Sequence, residues 1–141
     1  MKNTIPLLAL SSLLLTACSP FNGSPEQVID TFNSAAKAGD VKTAFSVVYD
    51  PKGRKTRKVA NWSESKLQNA GKMLQKIHEQ KTGNMTLNEK TCYLDAETIE
   101  AEGLPKEWGG ACMYEYTLND GSVKTIDFVY ENGKWAMSFP F

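Results

Sequence analysis

The residues best suited to chemistry in this 141-residue chain are three cysteines and a single histidine, His78. A thiol can be acylated, bridged to a second thiol or bound to a metal, and its surroundings decide between these fates. Cys18 follows Lys2 and an apolar stretch over residues 5–15. A positive end, a short apolar segment and small residues at a cut site are typical of an export signal, which we predict over residues 1–17.

The four residues at the end of this stretch, Leu15-Thr16-Ala17-Cys18, resemble the lipobox of bacterial lipoproteins. The resemblance implies a diacylglyceryl thioether on Cys18, with palmitate among the acyl chains, and cleavage before that cysteine. The alternative is an ordinary signal peptide or a transmembrane anchor with an incidental cysteine, although a span needs ~20 apolar residues. We predict a lipid-anchored cell-envelope protein. Ser19 resembles the outer-membrane pattern, so the protein would face the periplasm or the cell surface.

With Cys18 lipidated, Cys92 and Cys112 remain as an even pair in an exported chain. Such a pair in an oxidising compartment predicts a disulfide. Closing a loop of about 20 residues contributes roughly 3 kcal/mol in the chain-entropy model. A metal site or a catalytic thiol is the alternative, but the chain offers one histidine as a further ligand. We therefore predict no metal and no cofactor.

Length and charge indicate one domain without a nucleic-acid partner. We place the lipidated cysteine and a short tether at residues 18–23, and a single domain at residues 24–141. The 16 basic and 16 acidic residues balance, whereas a nucleic-acid binder shows a basic excess. The five tether residues after Cys18 span less than ~20 Å when extended. The domain is thus expected close to the membrane.

Two segments carry charge in patterns that suggest contacts. The first, which we call the basic segment (residues 52–58), holds five cations: Lys52, Arg54, Lys55, Arg57 and Lys58. A solvated loop is the plain interpretation. Contact with anionic headgroups or an acidic partner is the functional one, because each cation near an anionic surface contributes ~1 kcal/mol.

The second segment, which we call the acidic loop (residues 95–111), lies within the predicted disulfide. It carries an aromatic side chain among acidic ones, and the predicted partner-binding residues are Trp108, Glu100, Glu102 and Glu107. A rigid aromatic anchor on a stapled loop favours protein binding. The alternative is that Trp108 folds back onto the sheet while the acidic residues solvate the loop.

The elements that position these segments change type once along the chain. Apolar residues at helical spacing predict helices over residues 24–39, from Asp40 onward, and over residues 63–82. Alternation then predicts strands over the following segments: 85–94, 112–118, 123–130 and the stretch after the Asn132-Gly133 hairpin. This order predicts an α+β domain with three N-terminal helices on one face of an antiparallel sheet.

Two segments of the chain resemble small nuclear-transport-factor-two-like domains. The first covers residues 24–45, from Ser-Pro-Glu-Gln-Val-Ile-Asp-Thr-Phe to Gly-Asp-Val-Lys-Thr-Ala-Phe. The second covers residues 120–135, Asp-Gly-Ser-Val-Lys-Thr-Ile-Asp-Phe-Val-Tyr-Glu-Asn-Gly-Lys-Trp. That group is also called ketosteroid-isomerase-like or cystatin-like. The resemblance implies a curved sheet wrapped around the helices as a cone, often with an apolar cavity. Such domains include isomerases, polyketide cyclases and parts of secretion systems, so the fold does not choose a function.

An enzyme of this kind needs an acid/base pair inside the cone. Asp127 alternates away from Ile126 and Phe128, and Tyr114 and Tyr116 share a face that suggests ordinary packing. The isomerase residues do not map onto this chain, so we predict no catalytic residue. The expected function is a non-catalytic binding module for an envelope protein partner or a small apolar ligand. The alternatives are an isomerase or cyclase and a structural part of a secretion or exclusion system.

Overall fold

The structure, a computed structural model, describes residues 21–138. The predicted export signal, Cys18 and Phe139 lie outside the described residues. The helices are α1 (Pro25–Ala38), α2 (Val41–Ser46), α3 (Arg54–Ala60), α4 (Glu64–Ile77), which continues as a π-helical turn (His78–Thr82), and α5 (Ala96–Ala101). The strands are β1 (Thr86–Tyr93), β2 (Gly110–Thr117), β3 (Val123–Glu131) and β4 (Lys134–Met137). Within residues 21–138, no helix has both the length and the apolar character needed to cross a membrane.

The first helix begins and ends at the residues that the sequence indicates, and the second helix begins at its predicted cap. The Ser24 hydroxyl accepts a hydrogen bond from the N–H of Gln27 at 3.2 Å. Gly39 adopts a φ of 72°, the left-handed conformation that ends a helix at little steric cost. Asp40 then caps α2 by accepting from the N–H of Thr43. The apolar stripe of α1 is buried as a result: Val28, Ile29, Phe32, Ala35 and Ala36.

Residues 54–58 of the basic segment belong to the short helix α3, where the sequence indicated a solvated loop. Asp50 explains the difference, because its Oδ2 accepts from the N–H of Thr56 at 2.9 Å and from the Thr56 hydroxyl at 3.0 Å. These bonds hold the first turn of the helix, which begins after Gly53. Residues 21–138 thus contain four α-helices before the sheet, and the predicted count of three is corrected.

The helix predicted over residues 63–82 is a regular α-helix only as far as Ile77. Asn119, in the turn between β2 and β3, ties down the π-helical turn that follows. Its Nδ2 donates to the Glu79 carbonyl oxygen at 2.9 Å, and its Oδ1 accepts from the N–H of Asn84 at 2.6 Å. Asn119 therefore links the π-helical turn to the connection between β2 and β3.

The four strands are antiparallel neighbours in the order β1-β2-β3-β4. Alternation directs one set of side chains toward the helices and the other set away from them. The hairpin residues Asn132 and Gly133 have φ values of 54° and 78°, as a type I′ turn requires. The helices before β1 pack on one face of the antiparallel sheet, which makes an α+β domain, so the predicted fold class is confirmed.

Side chains fill the space between the helices and the sheet. Four of the largest are completely inaccessible to solvent: Phe32, Ile126, Phe128 and Met137. They occupy the interior where the family resemblance implies an apolar cavity. Burial of this kind supplies the main stabilisation of the domain.

A disulfide joins Cys92 of β1 to Cys112 of β2, the pair predicted from the sequence. The two residues are directly opposite each other in the sheet, with Cα atoms 4.1 Å apart. The acidic loop, which contains α5, thus leaves and re-enters the sheet beside a covalent bridge. The bridge also ties β1, whose side chains are mostly exposed, to the centre of the sheet.

Candidate binding groove

The face of the sheet that points away from the helices is also partly covered. Three residues on this outer face are buried: Ala111, Val129 and Ala136. The acidic loop crosses the face, since α5 contacts β2 and Ile99 of α5 is buried. Gly109, at the other end of the loop, donates its N–H to the Tyr130 carbonyl oxygen at 2.8 Å. The disulfide and this bond hold both ends of the acidic loop against the sheet.

Trp108 lies back against the body of the domain and contacts Tyr49. The two rings meet edge to face with centroids 6.1 Å apart, and the Trp108 Nε1 donates to the Tyr49 hydroxyl at 3.2 Å. That hydroxyl donates in turn to the Glu131 Oε2 at 2.6 Å. Burial, and next the hydrogen bond to Glu131, raise the pKa of Tyr49, so the hydroxyl stays protonated. Trp108 is therefore half-buried and held in one orientation.

The outer-face groove lies beneath the acidic loop and has a volume of about 320 Å³. Its lining includes Tyr93, Leu104, Trp108, Met113, Asp127 and Val129. Met113 is 40% exposed, although it lies in the middle of β2. The volume falls at the lower end of the range for ligand pockets, which suits a few side chains of a partner or a small apolar molecule.

Two carboxylates border the outer-face groove. Asp127 is the cross-strand neighbour of Met113, and Glu102 follows α5; both are exposed. Glu100 and Glu107 are exposed elsewhere in the acidic loop. Apolar walls with negative charge at the margin favour a ligand that combines an apolar group with a positive charge.

The five cations of the basic segment lie on helix α3 or just before it. Lys52 precedes α3, and the other four lie on that helix: Arg54, Lys55, Arg57 and Lys58. All five are exposed, and none of them forms an ion pair within residues 21–138. The helix packs against α2.

A third polar cluster lies where α1 meets the sheet. The Tyr114 hydroxyl donates to the Glu26 Oε1, and the Lys90 Nζ lies 3.8 Å from the same oxygen. Burial works to raise the pKa of Glu26, but the Tyr114 bond, backbone hydrogen bonding and Lys90 together lower it. Burial, and next the bond to Glu26, raise the pKa of Tyr114 well above 10.0. The cluster thus favours a charged carboxylate and a neutral phenol, whereas a carboxylate base is helped by a raised pKa.

Metal-ligating side chains are dispersed. Within the described range, no group of three or more His, Cys, Asp or Glu residues could hold a metal ion. His78 is half-buried at the start of the π-helical turn, and its Nδ1 has no hydrogen-bond partner in the described residues. The outer-face groove is the candidate site.

Sequence reasoning missed two residues that organise these clusters, Tyr49 and Glu26. Tyr49 is 59 residues from Trp108, and Glu26 is 88 residues from Tyr114. Periodicity and capping patterns report on near neighbours along the chain. An acidic residue in the first turn of a helix indicates a helix start, so the role of Glu26 toward the sheet left no local signal.

The fold and the groove define an α+β domain with a candidate binding surface on its outer sheet face. No protein-family model and no curated protein matches the chain. The chain is similar to a solved structure from Campylobacter jejuni described as a candidate NTF2-like transpeptidase. The identity is 14%, the TM-score is 0.46, and the match covers 83% of this chain and 99% of that one. The description of that structure names the family that the sequence resembles, but a likeness at this level carries no argument.

Proposed function

We propose that the protein is a lipid-anchored binding protein of the cell envelope, which holds a protein partner in the outer-face groove without catalysing a reaction. The bound segment would present an aliphatic side chain next to a lysine or an arginine. The observation that carries this proposal is the groove, whose apolar lining is bordered by Asp127 and Glu102.

The rigidity of the groove supports this proposal. The disulfide holds the acidic loop at one end, and the bond from Gly109 to Tyr130 holds it at the other. Trp108 is fixed by Tyr49 and already lies at the groove. A surface ordered before binding loses little conformational entropy on binding, and a rigid aromatic wall suits a protein interface.

The charges support the choice of partner. Asp127 lies beside the exposed apolar side chain of Met113 on the neighbouring strand. A lysine or arginine that follows an aliphatic residue can reach a carboxylate while its neighbour enters the groove. Acidic residues along the rest of the loop would add attraction at longer range.

Two other functions have less support. A small apolar ligand fits the volume of the groove, but it would leave the bordering carboxylates without a role. Catalysis would need a reactive acid/base pair. The Tyr114–Glu26 pair is mutually hydrogen-bonded, and its pKa shifts favour the resting protonation states.

Site-specific photo-crosslinking in bacterial membranes tests the proposal. The full chain is produced with a photoreactive phenylalanine derivative at Met113, and in a matched variant at Met73, which is 67% exposed on α4. We expect a protein adduct at position 113 and none at position 73. Equal adducts at both positions, or none at 113, would show that the groove is not the binding surface.

Charge reversal at the border of the groove tests whether the carboxylate of Asp127 contributes to partner binding. Asp127→Lys should reduce the adduct at position 113 by about tenfold, which corresponds to roughly 1.4 kcal/mol. Glu64→Lys, a reversal on the exposed start of α4, should leave it unchanged. An adduct with a small molecule instead of a protein would favour the small-ligand function.

Cys18→Ala should abolish acylation and membrane retention of the chain, and normal acylation of that variant would refute the anchor.

A further inference from the structure

Phe21, within the tether, is docked onto the domain. Its ring meets the Tyr130 ring edge to face at 4.9 Å and the Trp135 ring at 5.5 Å. The next residue, Asn22, donates its N–H to the Tyr130 hydroxyl at 3.2 Å and its Nδ2 to the Gly133 carbonyl oxygen at 3.4 Å. The chain that follows the predicted lipid site is thus bound to the sheet at one defined place.

Gly110 allows this docking because it lacks a side chain. A Cβ at this position would lie 3.1 Å from the Phe21 ring, 3.1 Å from the Trp135 ring and 3.5 Å from the Leu94 Cδ2. The three side chains therefore converge over the backbone at the start of β2. Leu94 remains 46% exposed, so part of this apolar group faces solvent.

Chain geometry places the predicted lipid near this group. Three peptide units separate Cys18 from Phe21, and an extended chain advances at most ~3.6 Å per residue, or about 11 Å in all. The other end of the domain is far from it. Gly71 of α4 contacts Gly39 at the opposite end of α1, and 14 helical residues span ~21 Å. Met73 lies two residues beyond Gly71.

We infer that the end of the domain formed by Phe21, Leu94 and the Asn132-Gly133 hairpin is the surface that rests on the lipid bilayer. The inference rests on the proposed lipid anchor at Cys18. The exposed side chain of Leu94 contacts the acyl boundary, and the exposed Lys134 beside the hairpin contacts anionic headgroups. The docked Phe21 fixes the orientation of the domain relative to the anchor.

Depth-dependent fluorescence quenching tests this orientation. The lipidated full chain is purified from membranes as Leu94→Cys or as Met73→Cys, labelled on the added thiol with an environment-sensitive dye, and placed in vesicles containing anionic lipid and a spin-labelled quencher lipid. Both positions are exposed and apolar in the native chain. We expect roughly threefold stronger quenching at position 94, because interfacial side chains lie within ~5–10 Å of the headgroup boundary.

Flotation of the vesicles separates failure of the anchor from failure of the orientation. Protein that does not float with vesicles refutes the anchor and the orientation together. Protein that floats but is quenched equally at both positions, or more strongly at 73, refutes the orientation alone. Phe21→Ala in the Leu94→Cys chain should keep flotation and remove the excess quenching. Retained quenching would show that Phe21 does not set the orientation.

Discussion

Glu26 and Tyr114 connect the first turn of α1 to the second strand, across 88 residues of sequence. The carboxylate adds a hydrogen bond to a charged group, and Lys90 offsets part of its charge. Such bonds contribute ~1.5–3 kcal/mol when they are well shielded. The Glu26 side chain is 47% exposed, so solvent screening reduces this value.

We expect Tyr114→Phe to lower the free energy of unfolding by about 1 kcal/mol at neutral pH. The pKa of Glu26 is lower in the folded chain than its ordinary 4.5. Its contribution is therefore complete above pH 4.5 and is lost as the pH falls through the folded value. The difference between the two chains should shrink in acid, as measured by urea unfolding at pH 7 and pH 3.

Tyr116→Phe is the matched control. Tyr116 is buried two residues further along the same face of β2, and its hydroxyl has no hydrogen bond within residues 21–138. Burial raises its pKa to about 12, so it is neutral throughout the experiment. A loss in Tyr116→Phe equal to that in Tyr114→Phe would assign the effect to the phenol rather than to Glu26.

At the scale of elements, the crossing of α1 and α4 depends on two glycines in contact. The carbonyl oxygen of Gly39 would lie 2.5 Å from a Cβ placed on Gly71. That distance is shorter than any stable contact between a carbon and a backbone oxygen. A side chain at this position would separate the helices, because the backbone cannot move as a flexible side chain could.

Gly71→Ala should therefore destabilise the domain by ~1–3 kcal/mol through overpacking. The sign of the change in the free energy of unfolding distinguishes the two cases, because alanine in place of glycine in an ordinary helix interior stabilises by about 1 kcal/mol. Asn69→Ala, on the exposed surface of the same helix, should change stability by less than ~0.5 kcal/mol. A gain of stability in Gly71→Ala, measured by denaturant titration, would contradict the close helix contact.

Local elements were predictable where a single short-range signal decided them. Caps and turns depend on nearby backbone, so single residues predicted them correctly. The start of α1 is marked by Ser24, its end by Gly39 and the start of α2 by Asp40. The hairpin is marked by the Asn132-Gly133 pair. Helix α3 was missed, since the carboxylate that holds its first turn belongs to Asp50, six residues before its partner Thr56. The sequence also identified the acidic loop as a stapled segment, but not the helix α5 inside it.

At the scale of the whole molecule, the groove and the orientation of Trp108 could not be predicted. The groove forms between β1, β2, β3 and the acidic loop, and Trp108 is oriented by Tyr49 from the segment before α3. Such contacts depend on how distant elements pack. Alternation predicted that Asp127 lies on the outer face of the sheet. It did not predict that the acidic loop crosses this face and makes Asp127 a border of the groove.

Acid should weaken the domain as a whole, because carboxylates on separate elements have lowered pKa values. Hydrogen bonds from Thr43, Thr56, Thr98 and Ser122 hold the pKa of four aspartates below 3.8: Asp40, Asp50, Asp95 and Asp120. A carboxylate with a lower pKa in the folded state stabilises fully above its unfolded value. That stabilisation is lost as the pH falls below 3.8 and then through the lower folded value, and this acid range is the window of the effect.

We expect the melting temperature to be constant near neutral pH and to fall steadily through this window. Asp50→Asn should flatten part of the fall, because asparagine can still accept from Thr56 but does not titrate there. Asp30→Asn is the control, since Asp30 lies in the exposed middle of α1 and caps no helix. The melting temperatures of both variants and of the native chain are measured by circular dichroism at half-unit steps of pH. A melting temperature that is unchanged down to pH 2, or an equal flattening in both variants, would show that the capping carboxylates do not govern the acid stability of the fold.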